Sequence, residues 1–101
     1  MQIAKVRGTV VSTHKTRSMT GIKLLLLQFV DVEGKLTDGY EVAADLVGAG
    51  VGEWVLVSKG SAARIEQGSQ ERPLDALVVG IIDTVSVDNN SLYSKKNDER
   101  T

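Results

Sequence analysis

The side chains that could carry out catalysis are few and scattered along this sequence of 101 residues. His14 is the single histidine, it stands in a basic polar stretch, and the chain has no cysteine for it to activate. Acid–base and nucleophilic catalysis both need a partner group within hydrogen-bond reach. Asp83 is the one acid in an apolar run, and a strand-end carboxylate explains it without catalysis. No spacing of histidines or carboxylates predicts a metal site, so we expect no enzyme activity, no cofactor and no metal.

Glycines are concentrated in one stretch, at positions 48, 50, 52 and 60. A Gly-x-Gly pattern can begin a phosphate-binding loop, but the third glycine of that motif falls on Glu53. The run also precedes a predicted strand instead of opening a helix. Because glycine reaches positive φ and permits close backbone approach, the pattern favours a tight structural turn over a dinucleotide site.

Composition indicates one globular domain in a reducing compartment. Hydrophobic residues make up 42% and charged residues 25% of the chain, and cysteine is absent, which is ordinary for a cytosolic protein. We expect no leader peptide and no membrane-spanning segment. Residues 1–30 contain five bases and no acid, whereas residues 31–101 contain seven bases and 13 acids. This asymmetry fits either nucleic-acid binding or docking of one copy on the next.

Apolar alternation predicts five strands, at residues 3–12, 22–32, 39–43, 54–58 and 76–87. A short helix is predicted at 61–64, polar loops separate the strands, and residues 88–101 resemble a solvated tail. Five short strands favour a small OB-like β-barrel of the all-β class. We therefore predict a barrel domain over 1–87 and a polar C-terminal tail over 88–101.

Two predicted strands are apolar on both faces. Residues 24–27 are four consecutive leucines, and residues 77–82 are almost all aliphatic. One alternate set of side chains fills the barrel while the other points outward, and the alternation leaves both assignments open. Each large apolar side chain left in water forgoes about 1.5–3 kcal/mol. We therefore expect a second copy to cover the outer face, unless the loops at 13–21 and 67–75 fold back over it.

The chain resembles the bacterial microcompartment vertex family (the CcmL/EutN type). The resemblance covers residues 1 to about 87 and rests on several stretches together: MQIAKVRGTV at 1–10, GIKLL at 21–25, DLVGAGVGE at 45–53, GSAAR at 60–64, DA at 75–76 and GIID at 80–83. Each stretch is weak alone, and the set is specific. The segment after Val87 lies outside this pattern.

This resemblance implies an OB-like barrel that assembles as a homopentamer and has no enzymatic activity. The carboxysome type is the nearest match, so pentamers are expected to cap the vertices of a shell that encloses carbon-dioxide-fixing enzyme. The implied partners are the hexameric shell proteins of the facets and an interior scaffold protein, with no nucleic acid and no membrane. The implied location is the cytoplasm, in the carboxysome shell.

We assign the subunit interface and the pore to particular residues as hypotheses. The interface is predicted at the outward members of β-strand 22–32 and at the glycines that allow close approach: Leu25, Leu27, Phe29, Gly48, Gly50 and Gly52. Small residues suit crowding at a five-fold axis, which assigns the pore to Gly60, Ser61, Ala62 and Ala63. A helix start there would favour anions such as bicarbonate.

Two other functions stay open on the sequence. A monomeric OB-fold module could bind single-stranded nucleic acid or oligosaccharide at its basic first hairpin. Such modules use aromatic side chains as stacking platforms, and this chain has only four aromatic residues, which weakens this alternative. The chain could also be a vertex protein of a non-carboxysome microcompartment. The mass in solution and salt-dependent oligonucleotide binding separate the monomeric module from a ring.

Overall fold

A closed five-stranded barrel forms the body of the protein. The computed structural model describes residues 1–12, 21–60 and 75–98. The barrel strands are β1 (Gln2–Val10), β2 (Leu24–Val30), β3 (Leu36–Asp45), β4 (Trp54–Lys59) and β5 (Ala76–Ile81). Their order is β1-β2-β3-β5-β4, with β4 paired back to β1, and β3 and β5 are the one parallel pair of this barrel. The predicted all-β, OB-like barrel is confirmed.

The interior of the barrel takes one alternate set of side chains from each strand. The members of the core with no exposure are Ala4, Val6, Leu25, Leu27, Ala43, Val55, Val57 and Val78. The ambiguity of β2 is therefore resolved in favour of Leu25 and Leu27 inside the barrel. Leu24 and Leu26, which alternate with them, point outward.

One end of the outer face of β2 and β5 is covered within the single chain. Leu24 is 6% exposed and Leu77 is fully buried, and together with Ala44 they form a second apolar cluster outside the barrel core. Leu24 therefore needs no second copy to cover it, whereas Leu26 on the same outer face stays partly exposed. The exposed apolar side chains of the described residues lie elsewhere, and those on β3 include Tyr40 at 55% and Val42 at 42%.

The chain leaves the barrel after β5 and forms a separate hairpin, which was not predicted from the sequence. Strand β6 (Thr84–Val87) pairs antiparallel with β7 (Asn90–Ser94), and a single helical turn, α1 (Lys95–Asp98), follows. The turn residues Asp88 and Asn89 have φ of 51° and 65°. Left-handed backbone at both positions matches the twist of a two-residue hairpin, and Asp and Asn tolerate it well. The prediction of one strand over 76–87 and a solvated tail from 88 is wrong for these residues.

A stacked pair of aromatic rings fastens this hairpin to the barrel. The rings of Trp54 and Tyr93 lie 4.4 Å apart between centroids at an interplanar angle of 12°, and with Ile82 they form a third buried cluster. A backbone hydrogen bond also joins two members of this cluster, because Ile82 N–H donates to Trp54 C=O at 2.8 Å. Two large rings removed from water make this contact a substantial source of stability. The predicted short helix at 61–64 lies outside the described residues.

Candidate assembly surface

Residues 46–53, which we call the glycine loop, connect β3 to β4 and are held at their start by Asp45. The Asp45 side chain has no exposure. Its Oδ1 accepts hydrogen bonds from the N–H groups of Val47 and Gly48, each at 3.0 Å, and its Oδ2 accepts one from Ala49 at 2.9 Å. Three backbone donors that would otherwise lose their partners are thereby satisfied by one carboxylate.

Lys23, the residue directly before β2, completes this anchor. Its Nζ lies 3.3 Å from Asp45 Oδ2 and donates a hydrogen bond to Ala49 C=O at 3.2 Å. The Lys23 side chain is about half exposed, at 52%, so its ammonium stays partly hydrated while it neutralises the buried carboxylate. The anchor therefore joins β2, β3 and the glycine loop.

The far side of the glycine loop is bonded to the barrel. Val6 N–H donates to Glu53 C=O at 2.9 Å, and Gly52 N–H donates to Val6 C=O at 2.8 Å. Ala49 is 1% exposed and belongs to the barrel core. Because both ends and one interior side chain are fixed, the glycine loop is a rigid feature of the fold and not a flexible connection.

Positive φ explains two of the three glycines in the loop. Gly48 and Gly52 have φ of 78° and 93°, where an L side chain is strained. A Cβ at either position would meet no atom of the chain within 4 Å. Within the monomer, glycine is therefore needed at these two positions for its backbone conformation and not for lack of space. The space where a side chain would lie is open.

The glycine loop presents apolar side chains to the outside. Leu46, Val47 and Val51 are 50%, 39% and 66% exposed. An isolated exposed aliphatic residue is ordinary, whereas three on one rigid loop form a surface that favours a protein contact. From the sequence, only the glycines here were predicted to lie at the interface, and the aliphatic residues Leu46, Val47 and Val51 were not.

Glu53 links the middle of the glycine loop to Lys95, the first residue of α1 directly after the C-terminal hairpin. Its Oε1 accepts a hydrogen bond from Gly50 N–H at 2.6 Å, and its Oε2 lies 2.6 Å from Lys95 Nζ. The hydrogen bond from Lys95 lowers the pKa of Glu53 below its ordinary value, and that from Gly50 N–H acts in the same direction. Partial burial and the Asp45 charge raise this pKa, and the two donors outweigh them.

Comparison with known proteins assigns this barrel to one family. The family model described as ethanolamine utilisation protein EutN/carboxysome matches residues 1–83. Over 100 residues the chain is 64% identical to the carboxysome shell vertex protein CcmL of Synechocystis, which covers 99% of this chain and 100% of that protein. The chain belongs to the EutN/CcmL family.

Solved structures extend the family likeness to the fold. The structure of CcmL from Gloeobacter violaceus has a TM-score of 0.89 at 66% identity and covers 95% of this chain and 99% of that chain. The GrpN pentameric microcompartment shell protein of Rhodospirillum rubrum has a TM-score of 0.78 at 45% identity and covers 88% of this chain and 100% of that chain. The matches to the CcmL proteins run over nearly the whole chain, whereas the family model ends at residue 83.

The structure separates the residues that the sequence analysis grouped as a EutN/CcmL interface. Leu25 and Leu27 have no exposure, so they offer no surface to a neighbouring copy, and their assignment to the interface is corrected. They fill the barrel because the pleat of β2 turns this alternate set inward. Phe29 is partly buried at the barrel core, with Lys59 Nζ 5.2 Å from the centroid of its ring.

The predicted pore begins at the end of β4. Gly60 has φ of 67°, and its N–H donates to Asp75 C=O at 2.8 Å. This hydrogen bond joins the two ends of the connection between β4 and β5. Ser61, Ala62 and Ala63 lie outside the described residues, so the pore assignment stays a prediction.

The aromatic residues of this EutN/CcmL member are not arranged as platforms for nucleic acid. Trp54 and Tyr93 stack on each other and are 7% and 6% exposed, whereas Tyr40 is 55% exposed. Base stacking in single-strand binders needs open ring faces along one groove. Within residues 1–12, 21–60 and 75–98, no group of three or more His, Cys, Asp or Glu side chains could hold a metal ion. No helix in these ranges is long and apolar enough to cross a membrane.

Acidification is expected to weaken the contact between Glu53 and Lys95. A carboxyl group whose pKa is lowered by folding contributes stability above its ordinary pKa of 4.5, and the contribution is lost as the pH falls through the lowered value. We therefore expect the free energy of unfolding, measured in urea, to be larger for wild type than for Glu53→Gln at neutral pH, and this difference to shrink as the pH falls to about 3. A difference that stays constant over this range would show that the Glu53 charge does not matter.

Proposed function

We propose that the chain is a carboxysome shell vertex protein that forms pentamers, caps the corners of the shell and allows it to close. The observation that carries this function is the 64% identity to a carboxysome shell vertex protein over essentially the full length of both chains. The pentameric relative with the same fold supports a ring of five. The protein is located in the carboxysome shell.

The function is one of geometry. A layer of hexagonal tiles is flat, and a five-fold unit of matching edge introduces the curvature that a closed polyhedron needs. A ring of five identical chains requires that each copy contact the next through two unlike surfaces. We propose a structural role without catalysis, with the hexameric facet proteins as partners at the outer edge of the ring and an interior scaffold protein as a further partner.

The subunit interface of this ring is proposed on the glycine loop and the outer face of β3. Leu46, Val47 and Val51 supply apolar surface on a rigid frame, and the open space at Gly48 and Gly52 admits the backbone of a neighbour. On β3, Val42 is 42% exposed and pairs in register with the outward Leu26 of β2. Rigid apolar surface is suited to a permanent interface because little conformational freedom is lost on binding.

Light scattering or native mass spectrometry on the purified chain tests the proposal. We expect a particle of five chains, and a stable single chain would contradict the ring. The vertex role is tested in a carboxysome-forming cell whose own vertex protein has been deleted. Expression of this chain should restore closed polyhedral shells in place of elongated or open ones.

Replacing Val51 by aspartate is expected to abolish the pentamer while leaving the barrel folded. Val51 is 66% exposed in the single chain, so the change costs little within the monomer, whereas a charge buried at an apolar interface costs several kcal/mol. The matched control is Val32→Asp, which places the same charge at an 82% exposed valine near the β2–β3 turn. Native mass spectrometry should find monomers for Val51→Asp and pentamers for the control, and pentamers in both would remove the glycine loop from the interface.

The pore stays assigned to residues 60–63 as a proposal. Gly60 lies at the point where the chain leaves β4, and small side chains follow it in the sequence. We propose that these residues surround the five-fold axis and favour the passage of anions such as bicarbonate.

A further inference from the structure

The C-terminal hairpin makes a charged contact with the glycine loop that the vertex role as stated above does not use. The Lys95 ammonium lies 2.6 Å from Glu53 Oε2, and the other oxygen of the same carboxylate accepts the Gly50 N–H at 2.6 Å. The side chains of Lys95 and Glu53 are 33% and 22% exposed. Charge-assisted hydrogen bonds that are shielded in this way are stronger than exposed ion pairs.

Lys95 is itself held in place by the hairpin. Its backbone N–H donates to Asp83 C=O at 2.8 Å, and it follows the buried Tyr93 by two residues. Tyr93 is fixed to the barrel through its stack with Trp54, the residue next to Glu53. The backbone that carries the Lys95 ammonium group is therefore fixed by its hydrogen bond to Asp83 and by the nearby Tyr93–Trp54 stack.

The segment under this carboxylate is the part of the glycine loop that Asp45 does not hold. The Asp45 side chain accepts hydrogen bonds from the amides of residues 47–49. Gly50 is held by Glu53 instead: the Gly50 N–H donates to the Glu53 carboxylate, and the Glu53 N–H donates to Gly50 C=O at 3.2 Å. Val51, the most exposed aliphatic residue of the loop, lies between Gly50 and Glu53. On its C-terminal side Val51 is held by Gly52, whose N–H donates to Val6 C=O, and on its N-terminal side by Gly50, whose position depends on the Glu53 carboxylate.

We propose that Lys95 is a positioning residue for assembly, which fixes Glu53 so that the second half of the glycine loop presents Val51 to the neighbouring copy. This inference rests on the proposed function, because it assumes that the glycine loop lies at the subunit interface. The C-terminal segment would thereby contribute to assembly by holding the glycine loop in its binding conformation. The contact acts by preorganisation, since a loop already in its bound conformation loses less entropy when the ring closes.

The test compares Lys95→Ala with Lys96→Ala in the full-length chain. Both variants remove one lysine from α1, and Lys96 is exposed. We expect Lys95→Ala to dissociate to monomers at roughly tenfold higher protein concentration than wild type, with amide hydrogen exchange at residues 50–53 faster by a similar factor. Lys96→Ala should match wild type in both measurements, and Lys95→Arg should recover most of the effect by keeping the charge.

Several results would overturn the proposal, and they differ from a failure of the vertex function. Equal assembly and equal exchange for Lys95→Ala and Lys96→Ala would show that the contact positions nothing. Weaker assembly with unchanged exchange at residues 50–53 would show that Lys95 acts by direct contact with a neighbour. A monomeric wild type would reject the ring itself, and the exchange measurement would then still decide whether Lys95 holds the loop.

Discussion

Asp45→Ala is expected to lower the free energy of unfolding by about 2–4 kcal/mol, which combines the loss of a buried turn cap with the loss of charged hydrogen bonds. The substitution removes the acceptor of three backbone amides at a position where the side chain has no exposure. It also leaves Lys23 without its carboxylate partner. Urea unfolding at one fixed protein concentration measures the change, because the stability of a ring depends on concentration. The same variant should run as monomers, since its glycine loop is no longer held.

Asp31 provides a matched control for this prediction. Its Oδ1 also accepts two local backbone N–H groups, from Glu33 at 2.8 Å and Lys35 at 3.0 Å, but in an exposed turn. Water replaces those hydrogen bonds at small cost, so Asp31→Ala should lose less than about 1 kcal/mol and should still assemble. Equal losses for the two alanine variants would show that burial of the Asp45 cap is not the source of its effect.

Tyr93→Ala is expected to cost about 3–4 kcal/mol, the range for truncating a buried aromatic residue. The ring is 6% exposed and stacks on Trp54, and its removal leaves a cavity between the hairpin and the barrel. Thermal or urea unfolding measures the loss, and the tryptophan fluorescence of Trp54 reports the change in its surroundings directly.

Two further variants isolate the cause. Tyr40→Ala removes the same side chain at a 55% exposed position on β3, and because this face belongs to the proposed interface both alanine variants are compared in the monomeric Val51→Asp background. There Tyr40→Ala should change the free energy of unfolding by less than about 1 kcal/mol. Deletion of the residues after Val87 should reproduce the loss seen for Tyr93→Ala. A deleted chain as stable as wild type would restore the interpretation of residues 88–101 as a solvated tail.

Several features were predictable because their cause is local. The alternation of apolar residues places β1, the leucine run marks β2, and a dense set of glycines marks the turn before β4. The family resemblance rests on stretches of the same kind, each readable without knowing its neighbours in space. Asp45 also has a local signal in the sequence, since an aspartate directly before a glycine-rich turn is the usual cap of that turn.

The hairpin of residues 84–94 had a weaker signal. Asp88 and Asn89 stand between two short runs of alternating residues, which is a two-residue hairpin pattern. The polar composition around them favoured a tail instead. Tyr93 shows why composition misled, because a single buried ring fastens this segment to a tryptophan that is distant in sequence.

By itself, the amino-acid sequence determined the class of fold, the number of barrel strands, the position of the tight turn and the family. These properties follow from periodicity and residue type within short windows, and they are present before any long-range contact forms. Only the tertiary structure decided that Leu25 and Leu27 face inward, that Leu24 and Leu77 are buried in one cluster with Ala44, and that Lys95 reaches Glu53. A strand that is apolar on both faces has no preferred side until its neighbours close the barrel, and an ion pair between distant segments exists only once the fold has brought them together.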